Sequence, residues 1–353
     1  MISIANLKHI HLEITNKCNS RCPGCARTHQ GDTHPDLKPL LMEWSLDHMK
    51  NFFQPNIINN KFFTLGGVVD EPLMNKNILS IVEYILEHDG EIEIYSNTGA
   101  NTEKVWETLG NWSRETKRLH MKFSVDGLEH TNHLYRVNVD WNKVIKNMTA
   151  YAKTKGDCEW QYLVFKHNES DIPEAKKIAD SLNIPITLRQ NVRNIKPWTS
   201  YIKKKVDGKI VEQQFTVDPT DNKDLAHPET QKVADWKDTA EVTEQEKARS
   251  ITCKMLHEGE IFVDWSGRVF PCCWFASDYF FDHETHLKEV DIEYGNNWNS
   301  LHYHDLEDIV SHEYYSKLLY KSWMRGNKFF SPECFKKCGD LGARRSYLYT
   351  PLE

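Results

Sequence analysis

Apolar residues along the first half of the chain follow two alternating rhythms. Short stretches, either apolar throughout or alternating apolar with polar, read as strands: the stretch around Leu12-Glu13-Ile14, Lys61 to Leu65, Glu91 to Tyr95, Leu119 to Val125, Trp160 to Phe165 and Pro185 to Leu188. Between them the spacing lengthens to that of an amphipathic helix. Met42, Leu46, Met49 and Phe53 predict one over about 43–54. Ile78, Ile81, Val82 and Ile85 predict a second, and Val105, Trp106 and Leu109 a third. Trp141, Val144, Ile145 and Met148 follow Asp140, a good N-cap, and Ile172 to Leu182 closes the series. Strand then helix, about six times, predicts a parallel α/β sheet curled into a barrel or part of one. Loops at the carboxyl ends of its strands would meet at one mouth, where such folds place their active sites.

The rhythm stops near residue 192. From there to 250 the chain is polar, with Lys203-Lys204-Lys205, Asp221 to Asp224 and Glu241 to Glu246 but few apolar anchors. It reads as a connector holding at most a short helix or hairpin, its charges a solvated face. Residues 1–191 therefore form the predicted barrel, 192–250 the connector and 251–353 a second domain. That domain opens at Cys253. Ile261 to Trp265, Ser266-Gly267 and Arg268 to Phe270 predict a hairpin with a two-residue turn. Leu306, Ile309, Val310, Tyr314 and Leu318 predict a late helix.

With 353 residues, 39% of them hydrophobic, the chain can bury a substantial core. A net charge of −7 argues against a surface that coats nucleic acid, and no basic, aromatic-rich stripe suggests transfer RNA. No apolar run approaches the roughly 20 residues of a membrane span, and the first residues lack a signal-peptide pattern. The expected location is cytoplasmic, where thiols stay reduced. Nine cysteines there read as metal ligands better than as disulfides, and seven fall into spaced groups.

Cys18, Cys22 and Cys25 lie within eight residues, just past the first strand. A compact loop can turn three such thiolates toward one centre, and thiolates suit iron–sulfur clusters and zinc. A 4Fe–4S cluster held by three cysteines keeps one iron for a non-protein ligand. A zinc knuckle is the alternative, with His29 or His34 as fourth ligand. Other loops at strand ends carry chemistry too. Gly66-Gly67 permits close backbone approach, and Asp70 and Glu71 follow it. Ser96-Asn97-Thr98-Gly99 is small and polar. Ser124-Val125-Asp126-Gly127 precedes Asn132, Tyr135 and Arg136.

Cys-x-x-x-Cys-x-x-Cys after a first strand resembles the signature of the radical S-adenosylmethionine (SAM) enzymes. The resemblance implies a partial (β/α)6 barrel and a 4Fe–4S cluster on Cys18, Cys22 and Cys25, with SAM on the free iron. Reductive cleavage of SAM would give a 5′-deoxyadenosyl radical that abstracts hydrogen from substrate. A flavodoxin- or ferredoxin-type protein would supply the electron. Gly66, Gly67 and Glu71 match the Gly-Gly-Glu region that binds the SAM amino group. Val68-Val69-Asp70 intervenes, so Asp70 competes with Glu71, and Glu71 is preferred because it precedes Pro72-Leu73. Ser96 and Asn97 match the segment that touches the ribose. Ser124 and Arg136 match the residues that hold the SAM carboxylate, Arg with two hydrogen bonds. Gly24 stands where the family usually has an aromatic residue, which leaves backbone contacts to the adenine and removes side-chain packing.

Cys253, Gly267 and Cys272 resemble the opening of the SPASM and twitch extensions of that family. Five cysteines instead of seven imply the shorter twitch form, with one auxiliary 4Fe–4S cluster on Cys253, Cys272, Cys334 and Cys338. Cys273 is the alternative to Cys272, because adjacent strand residues face opposite ways. A structural zinc site is the other reading of this group. Cys158 reads as an apolar thiol, and Trp265, Trp274, Phe275 and Tyr279 as core or as a shield for the auxiliary cluster. The implied substrate is a peptide side chain, to be oxidised or crosslinked. A sugar or aminoglycoside dehydrogenase is the near alternative, and a zinc-stabilised binding protein without redox activity the distant one.

Overall fold

The computed structural model describes residues 3–191, 196–206, 208–226, 251, 253–281, 286–324, 326–331, 334, 338 and 347–351. The polar stretch 227–250 and the residues between Cys334 and Cys338 lie outside them.

The six expected strands form: β1 (His9–Leu12), β2 (Phe62–Leu65), β3 (Glu91–Ser96), β4 (Leu119–Ser124), β5 (Cys158–Leu163) and β6 (Ile186–Asn191). They pair in sequence order and all in parallel, with Leu12 opposite Leu65 and Leu65 opposite Ile94. Buried Ile10, Leu12, Phe63, Leu65, Ile92, Ile94, Met121 and Phe123 fill the space between the sheet and its helices. The helix Leu46–Phe52 starts at Ser45, which forms a capping box with His48. Asp140 caps Trp141–Lys153 by accepting from Lys143 N at 3.1 Å.

The polar connector holds a long antiparallel hairpin, β7 (Trp198–Val206) and β8 (Lys209–Val217), that forms its own two-stranded sheet. All but the end of β8 is exposed, which is why apolar patterning gave little sign of it. The sheet also continues through the expected start of the second domain. Strand β9 (Glu260–Val263) runs parallel to β1, with Ile261 opposite Ile10, so seven parallel strands lie side by side. Strands β10 (Val269–Phe270) and β11 (Tyr347–Pro351) add antiparallel at the two edges. The predicted two-residue turn between β9 and β10 is longer. Val263 pairs with Val269, and the Asp264 carboxylate accepts from Ser266 N and Arg268 N to hold the intervening loop. The late helix is broken as well: Leu306–Ser311 is α-helical, and Tyr314–Leu318 is a π-helical turn. Among the described residues no helix is long and apolar enough to cross a membrane.

Candidate functional site

The cysteine loop leaves β1 and lies across the mouth formed by the strand carboxyl ends. Cys22 is buried, and Cys18 and Cys25 are half-buried. Each thiol is held by a different part of the mouth. Ser20 N and Asn97 Nδ2 donate to Cys18 Sγ at 3.4 and 3.7 Å. Arg136 Nη1 donates to Cys22 Sγ at 3.8 Å, with Ser20 Oγ 3.0 Å away. Cys25 Sγ donates to Val68 O at 3.4 Å. Burial, with Glu71 and the other two thiols close by, pushes the Cys18 thiol far above its ordinary range. Metal binding there would have to displace the proton from Cys18.

The glycine loop after β2 packs tightly against the chain's own neighbours. Gly66 has φ +103°, and a Cβ there would stand 2.8 Å from Tyr95 O. A Cβ on Gly67 would meet the His11 ring at 2.3 Å. Beyond it the two acids divide. Glu71 is buried and its carboxylate is committed to the protein. Oε1 accepts from Ser96 Oγ (2.6 Å) and Leu73 N (3.3 Å), and Oε2 from Asn97 N (2.7 Å). Burial pushes it up to about 7. Asp70 Oδ1 accepts from Gly67 N at 2.9 Å, while Oδ2 is buried with no hydrogen-bond partner among the described residues. Burial, with Glu13 and Glu71 close by, pushes Asp70 well above the ordinary carboxylate range, so its protonated form is favoured until a cationic partner arrives. Glu13, fully buried behind the loop, accepts from Val68 N and Val69 N at 2.8 and 2.7 Å through Oε1.

Ser96 and Asn97 end β3 and join this network. Asn97 Nδ2 also donates to Asn19 Oδ1 at 2.8 Å, tying the strand end to the cysteine loop. Thr98 has φ +64°, unusual for a β-branched residue, and its carbonyl accepts from buried Asn147. Opposite, Arg136 Nε donates to Asp126 Oδ2 at 2.6 Å, and Asp126 Oδ1 accepts from Leu163 N. Asp126 thus clamps the guanidinium at the mouth, leaving Nη2 with no hydrogen bond among the described residues. Ser124 is half-buried at the end of β4.

Sequence reading missed three residues here. Arg27 is buried, and its guanidinium donates to Asn16 O and Val69 O, bracing the cysteine loop against the glycine loop. Trp198, on the hairpin, packs against Gly24. His167 lies between Phe165 and Phe215 with both ring nitrogens buried and without a hydrogen-bond partner among the described residues. None belongs to a motif, and only the tertiary fold brings them to the mouth.

The second cysteine group assembles from three separate segments. Cys334 is buried, and Cys253, Cys272 and Cys338 are half-buried. Burial pushes Cys253 up to about 11, with Cys338 adding to the shift. Burial likewise raises Cys272, helped by Cys273, Cys334 and Cys253, and raises Cys334, helped by Cys253 and Cys338. These four thiols are therefore electrostatic neighbours, as a shared centre requires. Cys272 lies past the end of β10, and Cys273 opens the helix Cys273–Phe281, so strand alternation does not decide between them. Tyr314, on the π-helical turn, is fully buried beside Cys334, Cys272 and Cys253. Trp265 instead packs on Leu37 and Val69, and Tyr279 bonds Arg268 and Asp291. His34 faces His29 and Phe281. Cys158, half-buried on β5, is raised by burial and by Asp157. Among the described residues no three Cys, His, Asp or Glu side chains are grouped to hold a single metal ion. Thiolates that each bind a different iron of one cluster have no need of that convergence.

No family model matches the chain. Among curated proteins it is similar to the tungsten-containing aldehyde ferredoxin oxidoreductase cofactor-modifying protein of Pyrococcus furiosus. The two are 22% identical over 281 residues, 77% of this chain and 73% of that one. Among solved structures it superposes on histidine-tagged anSMEcpe with bound AdoMet with a TM-score of 0.51 and 12% identity, over 94% of this chain and 83% of that one. The fold is the radical SAM partial barrel. SuiB of Streptococcus suis, bound to S-adenosylmethionine, aligns with a TM-score of 0.49 and 14% identity over 76% of this chain. The chain spans 61% of the length of SuiB. Within the radical SAM barrel, the three-cysteine loop occupies the mouth, and the second cysteine group lies at the edge extended by β9 and β10.

Proposed function

We propose that the chain is a radical SAM enzyme acting on a peptide or protein side chain. The observation that carries the reading is the mouth itself. Three thiols of one loop share the mouth with the buried acid Glu71, its neighbour Asp70 and a clamped guanidinium on Arg136. Cys18, Cys22 and Cys25 would hold a 4Fe–4S cluster, and Cys253, Cys272, Cys334 and Cys338 an auxiliary one. The bound cluster and SAM supply a 5′-deoxyadenosyl radical for hydrogen abstraction, after one electron from a flavodoxin or ferredoxin.

The protein's part is binding, orientation and exclusion of water. Asp70 and Glu71 form the acidic side of the site, and Asp70 Oδ2 would meet the ammonium group of SAM. Glu71 also fixes Ser96 and Asn97, which face the ribose. Arg136, held by Asp126, meets the carboxylate with Ser124 beside it. Gly66 and Gly67 let backbone approach the ligand, and Gly24 offers backbone beside the third thiol. A peptide substrate is supported by the likeness of Ser124 to Arg136 to peptide- and protein-modifying members of the family. A small-molecule substrate is the second reading, favoured by the name of the P. furiosus relative, a cofactor-modifying protein.

The deciding experiment is iron and sulfide analysis with electron paramagnetic resonance on anaerobically reconstituted protein, with and without SAM. The expected result is two clusters in wild type, one in Cys18→Ala/Cys22→Ala/Cys25→Ala, and a SAM-perturbed signal in wild type alone. Zinc in place of iron would overturn the reading and leave a zinc-stabilised binding protein.

A further inference from the structure

The hairpin β7–β8 stands outside the barrel sheet, yet its base closes over the cysteine loop. An ideal Cβ built on Gly24 would lie 3.3 Å from Trp198 Cε2 and 3.5 Å from both Trp198 Nε1 and the Tyr135 hydroxyl. The side-chain space of residue 24 is thus already occupied by an indole from a distant segment. Other contacts fix the hairpin there. Ser200 Oγ donates to Leu134 O at 2.5 Å, next to the helix end that carries Arg136. Gly31, in the small turn after the cysteine loop, has φ +77°, and a Cβ there would stand 2.3 Å from Tyr201 Cβ. Val217, Phe215 and Trp198 share one apolar cluster with Cys22, Cys25, Tyr135 and Phe165. Lys196 Nζ lies 4.5 Å from the Trp198 ring centre, on the solvent side of the cluster.

We propose that Trp198 is a positioning residue of the cysteine-loop site, the aromatic wall that the loop itself lacks at Gly24, delivered by the β7–β8 hairpin. The inference rests on the proposed function for what the wall shelters, a cluster and the flat face of a nucleoside. The wall itself is a property of the chain alone. It explains why residue 24 is glycine: a second aromatic side chain would collide with the indole. It also gives the polar connector a task, shielding Cys22 and Cys25 from water and oxidant. A flexible loop of three thiols has no such protection from its own eight residues.

The test measures protection directly. In metal-free full-length protein under anaerobic conditions, the rate of N-ethylmaleimide labelling is followed by peptide mass spectrometry at each cysteine. Trp198→Ala is expected to raise the rates at Cys22 and Cys25 about tenfold, the equivalent of about 1.4 kcal/mol of easier opening. Cys158 and Cys253 serve as internal controls and stay unchanged. Trp198→Phe keeps most of the protection. The swap Gly24→Phe/Trp198→Ala restores it, because the loop residue can then fill the vacated space. In iron-loaded protein, Trp198→Ala bleaches faster in air than wild type. Unchanged labelling at Cys22 and Cys25 in folded Trp198→Ala, or faster labelling at all cysteines alike, overturns the proposal. So does a swap variant as exposed as Trp198→Ala. If the labelling pattern holds while the protein takes up no iron, the wall stands and the enzyme reading fails.

Discussion

The two cysteine groups of this chain are built in opposite ways. Cys18, Cys22 and Cys25 belong to one loop, and their surroundings are polar: Asn97, Arg136, Ser20 and the orphaned oxygen of Asp70. Cys253, Cys272, Cys334 and Cys338 come from three segments and sit among buried aromatic and aliphatic side chains, including Tyr314, Tyr315, Phe270 and Phe275. The first group is a place where ligands with charge can enter and exchange. The second has an apolar setting, and suits a centre that links chain segments or passes electrons. A local loop is assembled by sequence, whereas a dispersed group must be assembled by the fold, so losing each should have different consequences.

The sharpest contrast is expected in stability. Joining residues some 60 apart, as a centre on Cys272 and Cys334 does, removes about 4 kcal/mol of chain entropy from the unfolded state, against about 2.5 for a closure of eight residues. Cys334→Ala should therefore lower the thermal midpoint of iron-loaded protein well below that of Cys18→Ala, as read by calorimetry. Cys18→Ala should do the reverse for chemistry: formation of 5′-deoxyadenosine falls to background while the second group keeps its iron. Equal midpoints for the two variants would mean that the C-terminal thiols tie nothing together. Next in size is the choice between neighbours. With Cys272 as the ligand, beside Cys334 and Cys253, Cys272→Ser should remove the auxiliary iron and Cys273→Ser leave it. The opposite iron contents would assign the ligand to Cys273.

The same contrast governs what the sequence made readable. Most of strands β1 to β6 announce themselves by alternation, buried apolar residues taking turns with less buried polar ones as in Glu91-Ile92-Glu93-Ile94 and Leu119-His120-Met121-Lys122, while β2 is a nearly solid apolar run. The first cysteine loop is readable because its three cysteines lie within eight residues. The hairpin β7–β8 is hidden because its residues are polar and exposed, and its Trp198 meets Gly24 only in three dimensions. The pairing of β9 with β1 is hidden for another reason: it joins residues 251 positions apart, which no local pattern encodes. The division between Asp70 and Glu71 was out of reach too, since it depends on Ser96, Leu73 and Asn97 taking the Glu71 oxygens.

That division yields a smaller and more pointed effect. If Asp70 Oδ2 is the open acceptor for an ammonium group, Asp70→Asn should weaken SAM binding by about 1.5–3 kcal/mol, the range for a hydrogen bond to a charged group. Glu71→Gln should act first on stability. Both Glu71 oxygens accept from the protein, and an amide can accept at one only, so its NH2 would face the Asn97 or Ser96 donor. Equilibrium dialysis with SAM and thermal melts on the same variants separate the two effects. A Glu71→Gln protein that melts like wild type but loses SAM affinity would return the ammonium role to Glu71.

The smallest effect tests how tightly the hairpin closes the mouth. His167 is stacked on Phe165 and edge-on to Phe215 of β8, with neither nitrogen hydrogen-bonded among the described residues. Burial pushes its imidazole down to about 4, against the pull of Asp171 and with a small push from His133. The unfolded chain protonates this residue near 6.5, and the folded chain does not until about 4. Between those values the unfolded state binds more protons, so stability is complete above pH 6.5 and is lost as the pH falls toward 4. His167→Phe removes that loss and fits between two phenyl rings. It should be more stable than wild type by about 1–3 kcal/mol at pH 4.5 and nearly equal, or slightly better, at pH 8. Denaturant titrations at the two pH values measure it. A benefit that is the same at both would mean that the imidazole is already solvated, and that the hairpin stands open over this side of the mouth.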